Sequence, residues 1–185
     1  MKLYLTPGSC TTGIHILLEE IGLVFEAHLV NLLAGDQHQA DYVAINPKST
    51  IPLLVRQDGK PLTEFQAIAY WLARSYPKAR LLPEDPDNEA LVMETMDYVV
   101  GTIHMQGFAR LFTTNEFCET ESEQDAIKAK GKGIINKGFG IINQYLRDKS
   151  SDKPYVAGDY SIADAALFYV EFWADRIQSS LIPSR

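Results

Sequence analysis

The sequence contains few cysteines, only Cys10 and Cys118 in 185 residues. The two lie far apart, with no CxxC pair and no cysteine–histidine spacing of the zinc type. The pattern therefore indicates neither a disulfide framework nor a metal site. A chain of this length can form a hydrophobic core without such crosslinks. The role of two isolated thiols is the first question that the sequence raises.

Long apolar runs and clustered positive charges are also missing. No apolar stretch approaches the roughly 20 residues of a membrane-spanning helix, and the opening MKLYLTPGS lacks the apolar core of a secretory signal. The formal net charge of −7 disfavours binding to phosphate backbones, which requires clustered lysine and arginine. We therefore expect a cytoplasmic protein with neither nucleic acid nor membranes as partners.

The first 77 residues alternate between strand and helix patterns, in the order βαβ followed by ββα. The helix between the first two strands makes a parallel pair the economical arrangement, and Asp58-Gly59 is typical of a hairpin turn. Residues 35–50 are polar and predict only a brief helix or an irregular turn. In chain order, the prediction is a strand over 2–6, a helix that ends at Gly22, a strand over 25–32, two strands within 51–63 and a helix over 64–76.

The rest of the chain is predicted to be helical. A segment with three prolines, PKARLLPEDPDN, precedes it and is typical of a linker. We place an N-terminal domain at 1–77, a linker at 78–88 and an all-helical domain at 89–185. In the last predicted helix, Ser161 stands three residues before Asp164, a capping-box pattern in which each side chain satisfies the other's backbone donor.

Two long helices are predicted over 89–112 and 123–148, and the second contains an unusual number of glycines. Four glycines fall within KGKGIINKGFG, residues 130–140. Each costs about 0.5–1 kcal/mol relative to alanine in a helix interior. Two explanations stay open: the close approach of a neighbouring helix, or a bend or weakened segment.

Cys10 directly precedes the first predicted helix. A thiol at this position lies near the positive end of the helix dipole and near unpaired N–H groups, both of which favour the thiolate and lower the cysteine pKa. Position 13, where a dithiol motif would carry its second cysteine, is Gly13. Redox chemistry would therefore borrow its second thiol from a small molecule. The alternative is that Cys10 is a small buried apolar side chain.

Two further positions have a functional and an ordinary explanation. Pro52 begins a strand, and a cis bond there would expose the backbone of Ile51 to an extended, peptide-like ligand; an edge-strand proline is the alternative. Glu64 precedes a helix that starts with the amide of Phe65. The carboxylate suits a ligand amine and the helix-start N–H groups suit a ligand carboxylate, although an acid at a helix start also interacts with the dipole.

Taken together, four motifs resemble the glutathione S-transferase family, with Cys10 similar to the cysteine of its bacterial beta-class-like branch. The resemblance covers nearly the whole chain and implies a thioredoxin-like α/β N-terminal domain joined to an all-helical C-terminal domain. The four motifs are YLTPGSC, INPKSTIP, LTEFQAIAYWLA and GDYSIADAALF.

The resemblance also implies roles for individual residues. Ile51 before a cis Pro52 is similar to the backbone clamp on the cysteinyl part of glutathione. Glu64 and Phe65 are similar to the grip on its γ-glutamyl end. Cys10 would face the ligand sulfur, and the family's beta-like members can form a mixed disulfide with glutathione at this cysteine.

In the second domain, the resemblance singles out His104 and Asp97. His104 matches a histidine beside the site, although a lone helical histidine is more often structural. Asp97 matches a polar position that reaches glutathione across a dimer interface. The implied protein is a homodimeric, metal-free detoxification enzyme with glutathione as co-substrate.

The implied reaction is conjugation of glutathione to a hydrophobic electrophile, glutathione-dependent thiol–disulfide exchange through Cys10, or both. Two alternatives stay open: a non-catalytic binding or stress-regulatory protein on the same fold, and a monothiol glutaredoxin-like reductase.

Four departures from the family pattern bear on affinity and substrate choice. Bulky Phe65 stands where a small residue is common. The loop LLAGDQHQAD lacks the usual basic residue, for which Gln37 or His38 is only a weak substitute. Met105 stands where a lysine often follows the histidine. We also expect the chain, which ends at Arg185, to stop short of the last helices that complete the second-substrate pocket.

Overall fold

Four short strands form one mixed sheet in the first part of the chain. Strand β1 (Lys2–Leu5) pairs in parallel with β2 (Glu26–Leu29) and antiparallel with β3 (Leu53–Val55). Strand β3 pairs antiparallel with β4 (Pro61–Thr63), which gives the order β2-β1-β3-β4. The predicted parallel pair and the hairpin are thereby confirmed.

In the computed structural model the described residues are 1–148 and 153–177. The chain divides into two compact units, Met1–Leu82 and Pro83–Arg185. The expectation about the C-terminal end at Arg185 lies outside the described residues. Within the described ranges, no helix is both long and apolar enough to cross a membrane.

Helices α1 (Thr11–Ile21), α2 (Ala40–Ile45) and α3 (Phe65–Ser75) complete the first unit. Helix α1 ends at Gly22, whose φ of 75° is the left-handed conformation that glycine adopts without strain. The polar stretch before β3 contains two short 3-10 turns and α2, as the sequence predicted. The core between α1, α3 and the sheet consists of fully buried aliphatic side chains, among them Leu3, Ile14, Leu17, Leu18, Leu54, Ile68 and Leu72.

The second unit starts earlier than predicted. Helix α4 (Pro86–Asp97) begins inside the segment 78–88 that the sequence assigned to a linker. The reason is local: Asp85 caps the helix by accepting a hydrogen bond from the Asn88 N–H at 2.9 Å. Proline in the first turn is compatible with this start, since that position has no intrahelical donor to lose.

A π-helical segment (Tyr98–Phe108) follows α4 directly and continues into α5 (Ala109–Phe112). The sequence predicted one helix over 89–112 and did not predict its change of pitch. At the end of the π-helical segment, the Ala109 N–H donates to the His104 carbonyl five residues earlier, which is the π-type bond. The long helices α6 (Gln124–Asp148) and α7 (Ile162–Ile177) complete the unit.

Asp164 organises the start of α7. Its carboxylate accepts hydrogen bonds from the Ser161 N–H at 2.8 Å and from the Ser161 hydroxyl at 2.7 Å. The Val156 N–H also donates to it, at 3.1 Å. The capping box is thus confirmed only for the acidic half, because the serine hydroxyl donates to the carboxylate instead of accepting from the helix.

The glycines of α6 fall into two groups. A Cβ added at Gly138 would lie 2.5 Å from Cγ1 of Ile103, and one at Gly131 would lie 2.9 Å from the Gly107 carbonyl oxygen. Nothing lies within 4 Å of a Cβ built at Gly140. Close helix approach therefore explains Gly131 and Gly138, since α6 packs there against the π-helical segment and α5.

This difference provides a matched pair of substitutions. Gly138→Ala should lower the free energy of unfolding by about 1–3 kcal/mol, because Ile103 is fully buried and its side chain must move. Gly140→Ala should raise it by about 0.5–1 kcal/mol through helix propensity alone. Urea unfolding followed by circular dichroism measures both; equal effects at the two positions would contradict the packing explanation.

Candidate functional site: Cys10, the cis-proline segment and the start of α3

Cys10 stands at the N-cap of α1, and its side chain is buried, with 7% of the residue exposed. Its Sγ donates a hydrogen bond to the Ile51 carbonyl oxygen at 3.8 Å. This contact joins the start of α1 to the segment that leads into β3. The peptide bond between Ile51 and Pro52 is cis, as the family resemblance implied.

The thiol of Cys10 is protonated in this structure. Burial raises its pKa to about 12, and the opposing effect of the Cys10 and Thr11 backbone N–H groups is smaller. The prediction of a lowered pKa was therefore wrong for this conformation, because the helix-start donors do not compensate for lost hydration. The Ile51 carbonyl acts in the same sense, since it accepts a hydrogen bond only from the neutral thiol.

The segment before the cis bond is held by side chains from α2 and from its C-terminal end. Tyr42 donates its hydroxyl to the Thr50 carbonyl at 2.6 Å, and the Asn46 amide donates to the same oxygen at 2.7 Å. Asn46 is almost completely buried. These two bonds orient the peptide that carries Ile51, so the carbonyl beside Cys10 has a defined position.

Glu64 and Phe65 form the start of α3, as predicted. Glu64 occupies the N-cap with a positive φ of 70°, which is rare for a non-glycine residue, and Phe65 is buried. The Glu64 carboxylate is already paired with a cation. The Lys48 ammonium donates to its Oε1 at 2.7 Å and to the Thr63 hydroxyl at 2.9 Å.

Lys48 is a site residue that the sequence reasoning missed. The signal was present, since the lysine stands within the quoted motif INPKSTIP. Nothing in the sequence indicated, however, that it reaches a carboxylate 16 positions later. Of the two weak substitutes proposed for the missing basic residue, Gln37 has a buried side-chain oxygen without a hydrogen-bond partner among the described residues.

His104 lies in the π-helical segment of the second unit. Its Nδ1 is 3.2 Å from the Tyr169 hydroxyl, and its ring meets that of Trp173 edge to face, with centroids 4.8 Å apart. Burial lowers the pKa of His104 to about 4, so the imidazole is neutral at physiological pH. Asp97 is the last residue of α4 and is exposed, as is Met105.

The described residues contain no group of three or more histidine, cysteine or acidic side chains arranged to hold a metal ion. Cys10 and Cys118 are both free thiols. The structure thus brings Cys10, Ile51 and Pro52 together and places Glu64 with Phe65 at one helix start in the same unit. His104 and Asp97 belong to the second unit.

Comparison with known proteins identifies the family of this chain. Residues 8–75 match the family model described as the glutathione S-transferase N-terminal domain. The glutathione S-transferase GstA of Escherichia coli O157:H7 is 33% identical over 184 residues, which are 98% of this chain and 86% of GstA. The chain belongs to the glutathione S-transferase family.

Solved structures agree with this assignment. A glutathione transferase homologue from Sulfitobacter, with bound glutathione, superimposes with a TM-score of 0.83 at 30% identity, covering 98% of this chain and 86% of its own. A bacterial beta-class glutathione S-transferase from Sphingomonas chungbukensis gives 0.79 at 28% identity, covering 96% and 84%. The fold is the family's, with a thioredoxin-like α/β domain followed by a helical domain.

The protonated state of Cys10 predicts low reactivity in the absence of ligands. At pH 7.5 a thiol with a pKa near 12 has on the order of 10³-fold less thiolate than an unperturbed cysteine. Iodoacetamide should therefore alkylate Cys10 at least 100-fold more slowly than the more exposed Cys118. Peptide mass spectrometry over a time course separates the two sites; comparable rates would show that burial does not control the thiol.

The lowered pKa of His104 predicts a pH dependence of stability. The folded state binds its proton near pH 4 and the unfolded state near pH 6.5, so unfolding takes up a proton between these values and stability falls as the pH falls. Between pH 7.5 and 5.0, the wild type should lose about 1–2 kcal/mol more than His104→Gln. Urea unfolding at the two pH values measures this loss, and an equal loss in His104→Gln would contradict the assignment to this histidine.

Proposed function

We propose that the protein is a glutathione transferase that conjugates glutathione to hydrophobic electrophiles, with Cys10 acting as a hydrogen-bond donor to the glutathione sulfur. The observation that carries the proposal is the contact between the Cys10 thiol and the Ile51 carbonyl, 3.8 Å apart beside the cis bond to Pro52. A peptide-like ligand that pairs with the Ile51 backbone would bring its own sulfur next to Cys10.

The start of α3 supports the binding of the γ-glutamyl end. The Glu64 carboxylate suits the ligand amine, and the helix-start N–H groups suit the ligand carboxylate. In this structure the same carboxylate pairs with the Lys48 ammonium. Both side chains of this pair are more than half exposed, and such pairs contribute only about 0–1 kcal/mol. The ligand can therefore displace the lysine at little cost.

The raised pKa of Cys10 favours conjugation over thiol–disulfide exchange. Exchange requires the thiolate as nucleophile, whereas a neutral thiol can donate its proton in a hydrogen bond. In conjugation, the glutathione thiolate attacks the electrophilic carbon, a sulfur–carbon bond forms, and the leaving group departs with its electron pair. Cys10 keeps its proton throughout; on binding, its S–H turns from the Ile51 carbonyl to the glutathione sulfur and stabilises the thiolate before attack.

We extend the proposal to the second unit by the family resemblance. The aromatic side chains of the second unit support the binding of a hydrophobic electrophile. His104 is assigned to contact with the glutathione sulfur, and Asp97 to contact with the glutathione that the partner subunit of a homodimer binds. Detoxification in the cytoplasm is the corresponding physiological role. Sedimentation or light scattering tests the dimer directly.

Two substitutions of Cys10 separate the chemical alternatives. Turnover of a chlorodinitrobenzene-type electrophile with glutathione should fall about 10-fold or more in Cys10→Ala and clearly less in Cys10→Ser, because a hydroxyl remains a donor. Cys118→Ser is the matched control and should behave as the wild type.

The other outcomes identify the alternatives. A one-glutathione adduct after incubation with oxidised glutathione, absent in Cys10→Ser and accompanied by equal loss of activity in both variants, would establish exchange through Cys10. Rapid reduction of glutathione mixed disulfides without electrophile turnover would identify a glutaredoxin-like reductase. Absence of both turnover and retention on immobilised glutathione would favour a binding or regulatory protein.

A further inference from the structure

Tyr169 is a fully buried side chain with a polar end that meets His104. It lies on α7, its ring is 0% exposed, and its hydroxyl oxygen is 3.2 Å from His104 Nδ1. A buried tyrosine hydroxyl requires a hydrogen-bond partner. The contact joins α7 to the π-helical segment across 65 positions of sequence.

The rings around this contact leave the imidazole little freedom to rotate. His104 meets Tyr169 at an interplanar angle of 80° and Trp173 at 81°, both edge to face. Trp173 in turn contacts Phe108 and Phe112. We call these five residues the aromatic cluster.

The backbone of the π-helical segment around His104 is also fixed by its contacts. The His104 carbonyl accepts the π-type bond from the Ala109 N–H. The neighbouring Ile103 is fully buried and lies against Gly138 of α6, and Gly107 lies against Ile135 of the same helix. One side of the π-helical segment is therefore packed against α6, while His104 is directed to α7.

The hydroxyl contact has a consequence for the imidazole protons. Since the ring is neutral, one nitrogen carries a proton and the other accepts. If the phenol donates to Nδ1, the proton must reside on Nε2. The ring then offers a donor at Nε2 and has no lone pair there with which to remove a proton.

We propose that Tyr169 is a positioning residue that donates to His104 Nδ1 and thereby fixes the Nε2–H tautomer, so that His104 acts as a hydrogen-bond donor and not as a general base. The catalytic part of this proposal rests on the proposed function. The assignment of the tautomer does not, because it concerns the histidine and the tyrosine alone.

Nitrogen-15 NMR of histidine-labelled protein tests the tautomer. The chain has four histidines, and the His104→Gln variant identifies the resonances of His104. We expect a protonated Nε2 and an accepting Nδ1 in the wild type. In Tyr169→Phe, which keeps the ring but removes the hydroxyl, the Nδ1 resonance should move towards that of a tautomer mixture.

Tyr145→Phe is the matched control, since it also removes a tyrosine hydroxyl that is hydrogen-bonded within the second unit, in this case to the Val156 carbonyl at 3.2 Å. Its His104 resonances should be those of the wild type. A protonated Nδ1 in the wild type, or His104 resonances unchanged in Tyr169→Phe, would overturn the proposal.

A kinetic cycle tests the catalytic part. We expect Tyr169→Phe to lower kcat about 3–10-fold with little change in the KM for glutathione, and to have no further effect in a His104→Gln background, because it acts through that histidine. An equal loss in both backgrounds would show that Tyr169 acts through the fold alone. If the wild type has no transferase activity, the proposed function fails, while the NMR result still decides the tautomer.

Discussion

The contact between the Cys10 thiol and the Ile51 carbonyl is the constraint on which the rest of the candidate site depends. It requires a proton on the sulfur, and it requires the cis peptide segment to present its carbonyl towards the start of α1. The second requirement is met by Tyr42 and Asn46, which hold the preceding peptide through one shared oxygen. The protonation state of the thiol is therefore a property of how three segments pack.

The same reasoning explains why the position of Cys10 at a helix start does not make its thiol reactive. Helix-start N–H groups and the helix dipole stabilise a thiolate substantially only where the sulfur stays hydrated or accepts further hydrogen bonds. At Cys10 the surroundings are apolar and include a carbonyl acceptor, and desolvation dominates.

In the second unit, the two sides of the π-helical segment pack against different kinds of residue: small residues on one side and aromatic residues on the other. Gly131 and Gly138 allow α6 to approach the π-helical segment and α5 closely, whereas aromatic edges fill the space towards α7. Hydrophobic spacing predicted the helices themselves, because burial of one face leaves a periodic trace in the residues. It did not predict the π-helical pitch, since the same hydrophobic spacing is compatible with either helix type.

By itself, the sequence determined the order of strands and helices, the stop at Gly22, the family, and the residues available for chemistry. These follow from local rules, in which spacing, turn residues and motifs act within a few positions of one another. Only the tertiary structure decided that Lys48 pairs with Glu64, that Cys10 is protonated and that His104 is neutral beside Tyr169. Each of these depends on burial and on partners distant in the chain, and the free energy of a charge is determined by the atoms that surround it in the folded protein.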